Sequence, residues 1–90
     1  MASDTLSLKV VTPDEVFFEG PVEHVMAPGS KGYLGILKSH AALVTPITKG
    51  NLTYRDLQGV TKSFWVEGGF LEIFKNRVLV LTDKILGAVA

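Results

Sequence analysis

"NLTYRDLQGVTKSFWVEGGFLEIFKNRVLVLT", residues 51–82, holds two turns and four runs of alternating side chains. Gln58 and Gly59 separate "NLTYRDL" from "VTKSFWVE", and Lys75 and Asn76 separate "GGFLEIF" from "RVLVLT". Runs rich in β-branched and aromatic residues, joined by so short a connection, predict β-hairpins. In the second run Val60, Lys62, Phe64 and Val66 share one face, and Thr61, Ser63, Trp65 and Glu67 share the other. That period of two is the mark of a half-buried strand.

The rhythm extends back to the N-terminus. Leu6, Leu8 and Val10 alternate with Ser7, Lys9 and Val11 until Pro13 breaks the run. "VFFEG" (16–20) and "VEHVMA" (22–27) follow, the latter expected to set Val22, His24 and Met26 on one side. "PGSKG" (28–32) is turn chemistry. "YLGIL" (33–37) and "AALVTPI" (41–47) resume the strand pattern, with Pro46 marking an edge or a bulge. No stretch keeps a helical period over 10 residues. Short strands separated by turns predict an all-β sandwich or barrel.

Ninety residues fit one domain spanning 1–90, large enough for a single compact core. Nine basic residues balance nine acidic ones, without a run of one sign. A nucleic-acid footprint needs a concentrated positive face, so none is expected. There is no cysteine, which removes disulfides and thiolate metal sites and fits a reducing compartment. No secretory signal is apparent at the N-terminus, and no apolar run approaches a membrane-spanning helix.

"GSKGYLGILKSHAALVTP" (29–46) crowds glycines, lysines and a histidine together. It lacks the spacing of a phosphate loop and the helix that would follow one. Gly29 and Gly32 are expected to allow a positive-φ turn, and Gly35 to mark a bulge or a close backbone approach. His24 and His40 have no nucleophile motif around them and no zinc-type spacing, so no catalytic, cofactor or metal site is assigned. Asp14, Glu15, Glu19 and Glu23 read as a solvated rim, and Glu67 and Glu72 as charges guarding a sheet edge. Trp65, between Phe64 and Val66, is expected in the core or between sheets. Two readings stay open on composition alone. One is a free-standing β-barrel binding module for oligosaccharide or single-stranded nucleic acid, favoured by an exposed cluster of Tyr33, Tyr54 and Trp65. The other is a small enzyme with a deep polar pocket at His24 or His40.

Three anchors go further when taken in order: "VVTP" at 10–13, "GYLGILKSHAALVT" at 32–45, and "GGFLEI" with "VLVLTD" between 68 and 83. This arrangement, from about Leu6 to Asp83, resembles the N-terminal β-sandwich of the epsilon subunit of F-type ATP synthase, whose mitochondrial counterpart is delta. The resemblance implies a flattened sandwich of about ten short strands. It implies a non-catalytic rotor subunit in the central stalk, docked on the gamma subunit and standing on the c-ring. The resemblance further implies that such a subunit helps couple proton flow to ATP synthesis and needs no cofactor. Family contacts with the c-ring carry over to Ser30, Gly32 and Tyr33, and contacts with gamma to Thr12, His40 and Thr45. Tyr33 stands where many relatives carry an acidic or polar residue, and "LKSHAAL" replaces a frequent "LPGHAPL". The helical hairpin that follows the sandwich in most members has no counterpart in these residues. Inhibition of hydrolysis and ATP binding are therefore not assigned to them. The implied setting is the cytoplasmic face of a bacterial inner membrane, reached only through the complex, with a monomer when isolated.

Overall fold

The structure, a computed structural model, describes residues 5–89. Among the described residues seven strands follow one another: β1 (Leu6–Val11), β2 (Val16–Gly29), β3 (Gly32–Ile36), β4 (Leu43–Asp56), β5 (Thr61–Phe74), β6 (Arg77–Leu81) and β7 (Ile85–Val89). The all-β class is as expected, but the segmentation differs. About ten short strands were implied, whereas β2, β4 and β5 each run 14 residues without interruption. Each bends and serves two layers. The front layer joins Leu43–Ile47 of β4, Gly69–Phe74 of β5, β6, β1 and the first half of β2. The back layer joins β3, the second half of β2, the rest of β4, the first half of β5, and β7. Because β1 pairs with both β6 and β2, the ladder closes on itself. Among the described residues all pairings between these strands are antiparallel except β1 with β6.

The core lies between the layers. Leu6, Leu8 and Val10 of β1 face it, as do Val78 and Val80 of β6. Leu71 and Ile73 bring the front half of β5, and Phe64 and Val66 the back half. Each such side chain gains about 1.5–3 kcal/mol from full burial. Aromatic rings fill one end: Phe18 lies 4.4 Å from Tyr54 and Phe17 lies 4.9 Å from Phe64, centroid to centroid. Burial first, and the Asp56 carboxylate second, raise the Tyr54 hydroxyl above the ordinary phenol range.

Both predicted hairpins are present. In the β4–β5 turn the Asp56 carboxylate accepts the backbone N–H of Gln58 and of Val60, each at 2.9 Å. In the β5–β6 turn Lys75 and Asn76 hold φ of 48° and 63°. Positive φ at both central residues suits the right-handed twist of the flanking strands.

Local readings of phase fare less well. "VEHVMA" does not keep Val22, His24 and Met26 together: Val22, Val25 and Ala27 are buried, while Met26 is exposed. A register shift between Val22 and His24 inserts Glu23 as an extra residue. Such a bulge turns the strand over, so Val25 and Ala27 face the core in place of His24 and Met26. Val60 lies before β5 and is exposed rather than sharing the face of Phe64. Trp65 is not a core residue: it is 38% exposed, and its indole N–H donates to Glu67 Oε2 at 2.7 Å. Gly35 is exposed, and a side chain there would meet only the Met26 sulfur at 3.5 Å. The close approach lies instead at Gly69, where β5 crosses between layers with φ +131°. A Cβ there would fall onto the Leu81 carbonyl oxygen and within 2.9 Å of Thr82 Cα. The buried Thr82 completes this seam, its hydroxyl donating to the Gly68 carbonyl at 2.6 Å.

Candidate functional site

Ser30, Gly32 and Tyr33 meet at the β2–β3 corner, where Gly29 pairs with Gly32. Gly32 takes φ +116°, as expected of the turn; the Gly29 φ is not positive. Tyr33 is 58% exposed. The corner rests on two supports from β4. The Thr48 hydroxyl donates to the Pro28 carbonyl at 3.2 Å. Beneath it Gly50 is buried, and a Cβ there would come within 2.9 Å of Pro28 Cβ and 3.4 Å of the Tyr33 hydroxyl. Gly50→Ala is therefore expected to lift Pro28 and Tyr33 and to cost about 1–3 kcal/mol. Backbone amide shifts over residues 29–34, together with a thermal melt, check this; an unmoved corner at wild-type stability would contradict it.

Thr45 borders the same corner. A hollow of about 320 Å³ is lined by Ser30, Gly32, Tyr33, Leu43 and Thr45 among others. The Thr45 hydroxyl donates to the Pro46 carbonyl at 3.1 Å. Pro46 pairs with Phe70 on one side, while pairing of β4 with β2 reaches no further than Ile47. Pro46 thus stands on an edge, as the sequence suggested, lacking an N–H to offer there.

His40 and Thr12 lie at opposite ends of the front layer. The half-buried His40 sits in a turn, its N–H donating to the Leu37 carbonyl at 3.2 Å and its Nδ1 2.8 Å from the Ala41 carbonyl oxygen. The turn is tied to the β5–β6 hairpin by Ser39 N–H donating to Asn76 Oδ1 at 2.7 Å. Thr12 follows β1 at the other end, where its N–H donates to the Glu15 carbonyl at 2.9 Å. It shares a shallow hollow with Phe70, Leu81 and Thr82. The structure therefore joins Thr45 to the corner and leaves Thr12 and His40 apart.

Between those two ends lies a feature the sequence reading missed. Across the outer side of the front layer, Pro46, Phe70, Leu81 and Val11 stand directly opposite one another on four successive strands. Phe70 is 55% exposed and Leu81 48%. Val44 and Phe74 continue the surface, and both are exposed. Apolar side chains are common singly on surfaces, whereas a contiguous row of them is a candidate contact surface. The sequence could have shown part of this: "VLVL" is apolar in both phases, and in "FLEIF" only Glu72 interrupts the outward phase. Strands apolar on both faces are buried on both. Glu72 stands in the same face but guards no edge, since β5 is paired there on both sides, with Val44 and with Leu79. Glu67 is likewise internal, opposite Lys49 of β4 and donating its N–H to the Lys84 carbonyl.

Tyr54 is in the core, so Tyr33, Tyr54 and Trp65 do not form one exposed cluster. Neither His24 nor His40 lines any of the five hollows described, the largest of which is about 470 Å³. Such a fold, closed within and apolar on one outer side, is a small β-sandwich. Residues 5–88 match the family model described as ATP synthase, Delta/Epsilon chain, beta-sandwich domain. The chain belongs to that family. It is 40% identical over 83 residues to the ATP synthase epsilon chain of Syntrophomonas wolfei, covering 92% of this chain and 61% of the relative. It is 42% identical over 81 residues to that of Carboxydothermus hydrogenoformans, covering 90% and 60%. The chain thus spans about three fifths of the length of these relatives. Among solved structures, a chain of the Euglena gracilis mitochondrial ATP synthase (OSCP/F1/c-ring) matches with a TM-score of 0.87 at 20% identity, over 96% of this chain and 55% of that one. A chain from the Tetrahymena thermophila mitochondrial central stalk and c-ring matches at 0.77 and 17%, over 96% and 69%. At these identities the likeness is one of fold.

Proposed function

We propose that this chain forms the docking part of an epsilon subunit in a proton-translocating F-type ATP synthase. It is a non-catalytic rotor element that packs on the gamma subunit and stands on the c-ring. The observation that carries this reading is the row Pro46, Phe70, Leu81 and Val11, an uncovered apolar strip on a rigid sheet. Thr12 borders one end of that face and His40 lies towards the other, a placement that suits both to a gamma interface; Thr45 is opposite the buried Leu71, on the inner side of the edge strand β4, and reaches that interface only at its edge. The braced corner of Ser30, Gly32 and Tyr33 suits a second contact, with the c-ring. Thr45 lies beside both and serves where the two partners come closest. With Tyr33 in place of an acidic residue, the c-ring contact rests on aromatic packing and a hydroxyl rather than on an ion pair.

The role is mechanical. The sheet offers a preformed surface, so little ordering entropy is lost on docking. On this reading the chain works at the cytoplasmic face of a bacterial inner membrane, attached only through its complex, and is a monomer when alone. Family membership, the names of the relatives and the stalk-and-ring setting of the structural neighbours all support it. The test is direct. The chain, immobilised, should retain gamma and c-ring subunits from detergent-solubilised membranes of its own source, and should elute alone as a monomer. Retention of neither subunit would overturn the reading.

A further inference from the structure

Next to the wholly apolar row on the front layer lies a second row of a different kind: Val44, Glu72, Leu79, Lys9 and Glu19, each opposite the next on neighbouring strands. Arg77 follows one step further along β6, opposite Ser7 and Phe74. Lys9, Glu19, Glu72 and Arg77 line one hollow of about 470 Å³, with Phe74 and Leu79 beside them. Among the described residues, the ion pairs within 4 Å are Lys49–Glu67 and Arg55–Glu23. The four charges of the hollow are therefore not paired with one another at that distance. Glu72 is flanked directly by Val44 and Leu79 and is charged in the midst of an apolar face. It does not protect an edge, because β5 is internal there.

Two positive and two negative groups give the hollow no net charge, so it does not serve as a general attractor. What it does provide is a pattern. Like charges brought together across an interface cost several kcal/mol, and matched ones fix register. Resting on the gamma-docking reading above, we propose that this row sets the register in which gamma seats. The gamma surface brings a cation to Glu72 and a carboxylate to the side of Lys9 and Arg77. Glu72 and Lys9 stand two strand spacings apart, so the complementary pair on gamma is separated by about 10 Å. The apolar row supplies adhesion, and the charged row decides where along the sheet that adhesion is used.

The experiment measures binding of this chain to purified gamma by calorimetry, and association rates over a range of NaCl concentrations. Glu19 and Glu72 are exposed and Lys9 is half-buried, and thermal melts verify that each variant is folded. Glu72→Lys is expected to weaken binding by about 30-fold or more, and Glu72→Gln by about 5-fold. The exchange Lys9→Glu with Glu19→Lys leaves net charge unchanged yet should weaken binding by about 10-fold, which long-range steering alone does not predict. Affinities within about 2-fold of wild type for all three, with loss of binding on disrupting Phe70 and Leu81, would overturn the register proposal and leave the docking reading intact. Failure of the wild-type chain to bind gamma would remove both.

Discussion

Gly69→Ala is expected to lower the melting temperature by roughly 15–30 °C, the equivalent of about 3–4 kcal/mol in a domain of this size. Two costs add. An L-residue at φ +131° is strained, by about 1–3 kcal/mol. The new Cβ also falls on the Leu81 carbonyl oxygen, a backbone atom that cannot rotate away. Thr82, which follows Leu81, is buried and bonded to the Gly68 carbonyl, so the seam has no slack to yield. Circular dichroism melts measure the effect. Gly35→Ala is the matched control and should stay within about 0.5 kcal/mol, since it meets only a flexible methionine tip. Equal melting of the two variants would mean that the crossing of β5 is not held as described.

The second large effect is on assembly rather than folding. On the proposed reading, Phe70→Asp with Leu81→Asp should abolish measurable binding to gamma, a loss of more than about 100-fold. The two residues face each other across β5 and β6. Both are about half exposed already, at 55% and 48%; losing the buried halves and setting two carboxylates opposite each other should cost the fold about 2–4 kcal/mol. Calorimetry against gamma, with a melt beside it, separates the two quantities. Wild-type affinity in the double variant would show that the front face is not where gamma sits.

Much of the architecture could be read from residues alone, because the hairpin signals are local. Asp56 to Val60 and Lys75–Asn76 form the turns that their composition dictates. Phase and partnership were harder to read. Glu23 bulges out only because β2 must leave β1 and join β4, a tertiary demand with no mark in "VEHVMA". The strand at Ile85–Val89 follows from pairing with β5 rather than from alternation in "ILGAV". At the candidate site the turn of Ser30 and Gly32 was visible in "PGSKG", with Tyr33 opening the next strand. The apolar outer row was not, since Pro46, Phe70, Leu81 and Val11 come together only through register across four strands. A residue's own neighbours in sequence say that it is apolar, but not which side of the sheet it will occupy.

The unbroken run of β2, β4 and β5 through both layers has a mechanical corollary. In a sandwich whose sheets meet only by side-chain packing, torque can make one sheet glide over the other. Here three covalent backbones cross that plane, so sliding would require peeling ladder hydrogen bonds rather than merely repacking methyl groups. On the proposed reading, a load taken up at the glycine corner passes to the opposite face along continuous main chain.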